Sequence, residues 1–319
     1  MTRNLLPILM GVVAVAALLV LLPILVLQPW NDPEEPGAPE DAGAPTAVDT
    51  EASQPEVTPI LATTDVGLGS NRISFLLEGP TGFVTAPQVS VTSRYLPEDG
   101  SAPVAGGSAS ARHFVWPYGV RASYATSLEF DRPGRWDLEV TLPDGENGRA
   151  ARVPLLVRQD THTPSLGSPP PRGDNKTLRD VSLEELTTWS TPDPQLYTST
   201  IDQAVANADP TMIVFSSPGT CTSPTCGPQA ETVSIVKDKY RDDANFIHVE
   251  VYDNPAAIQG DLDNARYSPI VEEWGITQAE GYLNESWVFI LDRDGLISSK
   301  YEGFASAEEL EMGLLAVLN

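Results

Sequence analysis

Cys221 and Cys226 are the only two cysteines in a chain of 319 residues, and four residues stand between them. A pair this close is a local disulfide, a redox couple or half of a metal site. It lies in Cys221-Thr-Ser-Pro-Thr-Cys226, after the apolar run Thr211 to Phe215 and before a helical pattern. Closing so short a loop would stabilise the fold by about 2 kcal/mol in the chain-entropy model. Other donors are few. His248 sits mid-strand and reads as an interior residue, while His113 and His162 lie outside the C-terminal part. Asp253, Asp261 and Asp263 lack a recognisable calcium spacing and read as a solvated loop. No cofactor and no bound metal are expected.

The elements that must position this pair follow from composition and periodicity. The net charge is -25, and Lys176, Lys237, Lys239 and Lys300 are the only lysines. That balance argues against nucleic acid as a partner, since phosphate binding needs clustered Lys and Arg. Leu5 to Leu27 is almost wholly apolar. As a helix it would span roughly 34 Å, enough to cross a bilayer. Arg3 precedes it and Asp32, Glu34 and Glu35 follow. The expectation is a single-pass signal-anchor over 1–27 in the cell membrane, N-terminus cytoplasmic and the rest extracytoplasmic. Residues 28–64 hold seven prolines, eight acids and no Lys or Arg, and read as an extended stalk.

Residues 65–158 carry period-two runs separated by turn residues. The candidate strands are Arg72 to Leu77, Gln88 to Tyr95, Ser123 to Phe130, Arg135 to Leu142 and Arg149 to Val157. Such a pattern predicts an antiparallel sandwich with Trp136, Leu138 and Val140 facing the core. Phe130-Asp-Arg-Pro-Gly-Arg-Trp136 resembles the late hairpin of immunoglobulin-like domains. Residues 159–195 read as a Pro-rich linker, with Asn175-Lys-Thr177 one of two glycosylation sequons beside Asn284-Glu-Ser286.

Residues 196–319 alternate helix and strand. Thr211 to Phe215 is apolar without alternation, so buried on both faces. Asn245 to Val251 is a further strand, Ser268-Pro opens a helix that Gly275 ends, and Asp292-Arg-Asp-Gly295 turns a hairpin. Ser306-Ala-Glu-Glu309 is a capping box for the last helix. The order helix, strand, cysteine turn, helix, strand, helix, hairpin, helix resembles the thioredoxin-like superfamily. Ile213-Val-Phe, the cysteine turn, Val249 to Asp253 and Val288 to Gly295 carry the resemblance. With the apolar N-terminus, the chain looks like a membrane-anchored, extracytoplasmic thioredoxin domain-containing protein.

The resemblance implies thiol–disulfide exchange with Cys221 and Cys226 as catalytic residues, Cys221 attacking. It implies an unidentified protein thiol or disulfide as partner, and the anchor makes the membrane a second one. The chain departs from the family in four places. The spacing is C-x-x-x-x-C, Thr220 stands where tryptophan is usual, and Ser286 stands where the cis-proline is expected. Val214 replaces the family's buried acid, so no internal carboxylate is expected to be available to move protons. Two further readings stay open: a non-catalytic binding or scaffold protein with a structural disulfide, and copper handling in oxidase assembly with the thiols and a histidine. The expected fold class is therefore multidomain: a transmembrane helix, an all-β immunoglobulin-like sandwich and a C-terminal α/β thioredoxin-like fold. The helix bearing Cys226 has two candidate starts, Ser223-Pro224 and Gly227-Pro228.

Overall fold

The alternating runs of the N-terminal half pair into one sheet, not two. The structure, a computed structural model, describes residues 57–117, 121–143, 150–220, 225–258, 261–278 and 286–318. Eight strands make up the sheet: β1 (Thr58–Leu61), β2 (Gly69–Gly79), β3 (Gly82–Phe83), β4 (Gln88–Leu96), β5 (Val104–Val115), β6 (Ala122–Phe130), β7 (Gly134–Thr141) and β8 (Ala150–Val157). Their order is β1-β2-β6-β5-β4-β7-β8, with β3 paired to β2, and every pairing is antiparallel. The path nearly closes on itself. Val66, just after β1, bridges Val157 at the end of β8, and the Arg158 N–H donates to the Val66 carbonyl at 2.8 Å.

This corrects the immunoglobulin-like sandwich to a single, nearly closed, barrel-like sheet. The cause is β5. Its earlier residues, up to Arg112, pair with β4 and its last four, Arg112 to Val115, with β6, joining strands that a sandwich would keep in separate sheets. Alternation then turns one set of side chains inward. Trp136, Leu138 and Val140 are buried with Ile73, Phe75, Tyr124 and Phe130, and Phe130 meets Trp136 edge-on at 5.1 Å. Each such side chain contributes about 1.5–3 kcal/mol by leaving water.

The C-terminal half is a four-stranded sheet in the order β10-β9-β11-β12, from β9 (Thr211–Ser216), β10 (Asn245–Glu250), β11 (Trp287–Leu291) and β12 (Ile297–Glu302). β10 runs parallel to β9, while β11 is antiparallel to β9 and β12. A parallel pair needs a crossover; α3 (Cys226–Tyr240) lies in it. The other helices are α1 (Leu183–Leu186), α2 (Ile201–Ala206), α4 (Pro255–Ile258), α5 (Pro269–Glu273) and α6 (Ala307–Leu318). Every residue of β9 is buried. Met212 and Val214 pack with Phe246, Val288 and Ile290 against Val233 of α3 and Leu310 and Leu314 of α6. Ile213 and Phe215 pack on the opposite face with Ile201 of α2 and Ile270 of α5.

The two halves lie in one compact unit, Ser53–Asn319. A buried polar seam holds them. The Glu302 carboxylate accepts from the Thr64 N–H at 2.7 Å, the Thr64 hydroxyl at 2.6 Å and the Asp65 N–H at 3.0 Å. Arg72 of β2 donates from Nε to Glu309 Oε1 at 2.9 Å, and to the Glu302 and Phe304 carbonyls at 3.2 and 2.9 Å. Asp65 accepts from the His162 and Thr163 N–H groups at 2.9 Å each, which fastens the start of the 159–195 segment. Asn175 is buried, with its carbonyl oxygen taken by the Ile201 N–H at 2.8 Å, so its sequon is closed to a glycan in this fold.

No helix among the described residues is long and apolar enough to cross a membrane. The longest, α3, has 15 residues and includes charged side chains, and at 1.5 Å per residue it falls short of a ~30 Å hydrocarbon core. The transmembrane element of the fold class and the single-pass cell-membrane localisation are corrected accordingly. Leu5 to Leu27 and the stalk up to residue 56 lie outside the described residues, while Thr58–Leu61, at the stalk's expected end, is β1.

Candidate functional site

Cys226 is the first residue of α3, with Thr225 before it as N-cap. The helix start falls between the two candidates, with Gly227-Pro228 inside the first turn, and the cysteine stands at the entrance. Pro228 fits there because a proline in the first turn lacks only an N–H that has no helical partner. Cys226 is fully buried and disulfide-bonded. Cys221, the other expected catalytic residue, lies outside the described residues.

The residues between β9 and the cysteines are held from behind by a strap at Thr187-Thr188. The Gly219 N–H donates to Thr188 Oγ1 at 2.9 Å. Glycine is needed at 219 because a methyl group there would overlap the Thr188 carbonyl oxygen. Ser217 Oγ bonds Thr220 Oγ1 and approaches Thr188 Oγ1 at 3.5 Å. Thr220 also closes the turn by donating its N–H to the Ser217 carbonyl at 3.2 Å.

Behind the strap is a carboxylate the sequence reading missed. Glu250, the last residue of β10, is buried opposite Ser216. Its Oε2 accepts from the Thr188 N–H at 2.7 Å, the Thr188 hydroxyl at 2.9 Å and the Thr187 hydroxyl at 3.3 Å. Its Oε1 accepts from the Val251 N–H at 3.1 Å. Burial pushes this carboxyl above its ordinary range, against the pull of the hydrogen bonds from Ser217, Thr188 and Thr187. A signal was legible: an acid at an inward position of an apolar strand, two residues from His248. This corrects the expectation, drawn from Val214 on β9, that no internal carboxylate is available: one comes from the neighbouring strand.

His248 is buried with both ring nitrogens engaged. Nε2 lies 3.2 Å from the Ser216 carbonyl and 2.9 Å from Ser216 Oγ, and Nδ1 lies 2.6 Å from the Tyr197 hydroxyl. A carbonyl only accepts, so Nε2 carries the proton and Nδ1 accepts from Tyr197. A second proton on Nδ1 would reverse that bond, making the Tyr197 oxygen the acceptor. Burial lowers the His248 pKa to about 4, against the opposing Ser216 bond. The unfolded imidazole titrates near ~6.5, so the unfolded chain binds the extra proton between those values. Stability therefore falls as pH drops from about 6.5 to 4, by roughly 3 kcal/mol from this residue. Glu250 acts with the opposite sign: its raised pKa gives a contribution present at low pH and lost as pH rises through the folded value. Urea denaturation at pH 7 and pH 4 separates the two. Wild type is expected to lose roughly 3 kcal/mol relative to His248→Gln over that interval; parallel pH curves for the two proteins would contradict the assignment.

His248 so engaged offers no free lone pair to copper. Among the described residues no group of three or more His, Cys, Asp or Glu side chains is placed to hold a metal ion. Asp253 pairs with Lys176, and Asp261 caps its own turn through the Asp263 N–H at 3.1 Å and Asn264 at 2.9 Å. The expected cis-proline position holds Ser286, whose buried hydroxyl has no hydrogen-bond partner. Among the described residues there is no cis peptide bond.

Neither a protein-family model nor a curated protein matches the chain. Among solved structures it is similar to a thiol:disulfide interchange protein, a thioredoxin family protein from Chlorobium tepidum TLS. That likeness has 12% identity and a TM-score of 0.34, and covers 49% of this chain and 99% of the other. It is also similar to MtrC from Shewanella baltica OS185, with 9% identity and a TM-score of 0.24 over 58% of this chain and 33% of that one. What these comparisons yield is a partial likeness to a thioredoxin family protein, too distant to assign a family.

Proposed function

We propose that the chain carries out thiol–disulfide exchange through Cys221 and Cys226, with a protein thiol or disulfide as partner. The observation that supports this reading most is the place of Cys226: a disulfide-bonded cysteine at the first position of a 15-residue helix that follows the central strand. Unpaired N–H groups and the positive end of the helix dipole stabilise a thiolate at such a position. Cys221 is the one other cysteine in the chain. The burial of Cys226 leaves the attacking role to Cys221.

The exchange balances without a further reactant. The Cys221 thiolate attacks a substrate disulfide, forming a mixed disulfide and releasing one substrate thiolate. The Cys226 thiolate then attacks Cys221 sulfur, closing the Cys221–Cys226 disulfide and releasing the second substrate thiolate. Two electrons pass to the substrate, and the reverse sequence oxidises a dithiol.

A second reading, a structural brace, is favoured by the complete burial of Cys226. The reduction potential distinguishes them. Exchange predicts a value in the glutaredoxin range of about -200 to -230 mV, with insulin reduction by the dithiol form. A potential below about -300 mV and no insulin reduction would leave only the brace.

A further inference from the structure

We propose that Glu250 is the positioning residue of the cysteine turn: its carboxylate, gathered by Thr187 and Thr188, holds the strap on which Gly219, Ser217 and Thr220 are hung. This rests on the exchange reading for its role in turnover, and on geometry alone for its hold on the turn.

The direction of the hydrogen bonds carries the inference. An ionised carboxylate only accepts. The Thr188 hydroxyl, 2.9 Å from Glu250 Oε2, therefore gives its one proton to Glu250. Thr188 Oγ1 is then left with lone pairs only, and it receives the Gly219 N–H at 2.9 Å. Ser217, facing Thr188 Oγ1 at 3.5 Å, turns its own proton inward toward the strap or Glu250. The Ser217 oxygen is then the acceptor for the Thr220 hydroxyl. One negative charge thus orders a chain of donors that ends at the residue before Cys221. Among the described residues no cation closes on this carboxylate: its hydrogen-bond partners there are threonine, serine and backbone groups.

Protonation reverses the order. A protonated Glu250 must donate, and the nearest acceptor is Thr188 Oγ1, whose own proton must then turn away from Glu250 and toward the Gly219–Ser217 side. Among the described residues, the titratable and charged groups around Glu250 are His248 on its own strand, Tyr252 two residues on, Tyr197 before α2, Glu185 of α1, and Lys176 and Asp253, which line the same small cavity. Lys176 is engaged with Asp253, and His248 is neutral with both nitrogens bonded, so neither neutralises the carboxylate. Burial without a counter-charge raises the Glu250 pKa, which brings this reversal closer to neutral pH.

The test uses the full chain and its Glu250→Gln and Thr188→Val variants, with folding checked by circular dichroism. Two quantities are read across pH: exchange of the Gly219 amide by NMR, and the rate at which dithiothreitol reduces the cysteine pair. The loss of a charge-assisted anchor is expected to speed Gly219 exchange about tenfold in Glu250→Gln. The reduction profile of that variant should also lose an ionisation that wild type shows beyond the reductant's own. Thr188→Val keeps the carboxylate but removes the link, and should give the same gain in Gly219 exchange. If Glu250→Gln, or Thr188→Val where the first variant does not fold, keeps wild-type Gly219 protection and the wild-type pH profile, the proposal is overturned. A wild-type dithiol that fails to reduce insulin sinks the exchange reading by itself, while Gly219 protection still judges the hold of Glu250 on the turn.

Discussion

A chain with Cys226→Ser is expected to lose insulin reduction down to the protein-free rate while remaining folded. Without the second thiol, the mixed disulfide on Cys221 has no internal sulfur to resolve it, so the first turnover traps the substrate. Cys221→Ser should lose the same activity and trap nothing, because the attacking sulfur is gone. The stability cost is the same in both, about 2 kcal/mol from opening a short loop, measurable by urea denaturation. The covalent trap is the discriminating readout. A structural brace predicts the stability loss in both variants and no trapped substrate in either. If wild-type protein reduces insulin and both serine variants do so equally well, the cysteines are not the reacting groups.

The second large effect lies at the seam. Arg72→Ala should destabilise the whole described unit by about 3–5 kcal/mol, the range for breaking one partner of a buried ion pair. Arg72 and Glu309 are 12% and 7% exposed, and the guanidinium also serves two carbonyls and lies 5.5 Å from the Tyr301 ring centre. Its loss leaves the Glu309 carboxylate without its cation, held only through Oε2 by Ser306, and takes a donor from the Glu302 and Phe304 carbonyls. Adding Glu309→Gln removes the stranded charge, so Arg72→Met with Glu309→Gln should recover part of the loss. Urea midpoints for the wild type, the single and the double variants decide this. Equal stability of wild type and Arg72→Ala would mean that the seam does not couple the barrel to the α/β layer.

The α/β layer was largely legible because its signals are local. A strand without alternation, Thr211 to Phe215, is buried at every position. The Ser306 to Glu309 capping box forms both of its bonds, at 2.9 and 3.2 Å. Pro269 opens α5, Gly275 follows it with a φ of +66°, and Gly295 closes the hairpin turn with a φ of +73°. Each of these depends on residues within a few positions of one another. The barrel was less legible. β5 reads Val-Ala-Gly-Gly-Ser-Ala-Ser-Ala-Arg-His-Phe-Val, and small residues and glycine carry little strand propensity. Without β5, the remaining runs suit two facing sheets as well as one curved sheet, since both have period two.

By itself the sequence determined the pair of cysteines, their strand-to-helix turn and the periodicities around it. Tertiary structure alone decided three things: that the N-terminal strands close into one sheet, that Arg72 and Glu302 join it to the α/β layer, and that Glu250 stands behind the cysteine turn. The physical reason is common to all three. Pairing register brings together residues far apart in the chain, as when the parallel β9–β10 ladder sets Glu250 opposite Ser216. Periodicity tells each strand which side chains face inward, but not which strand will lie beside it.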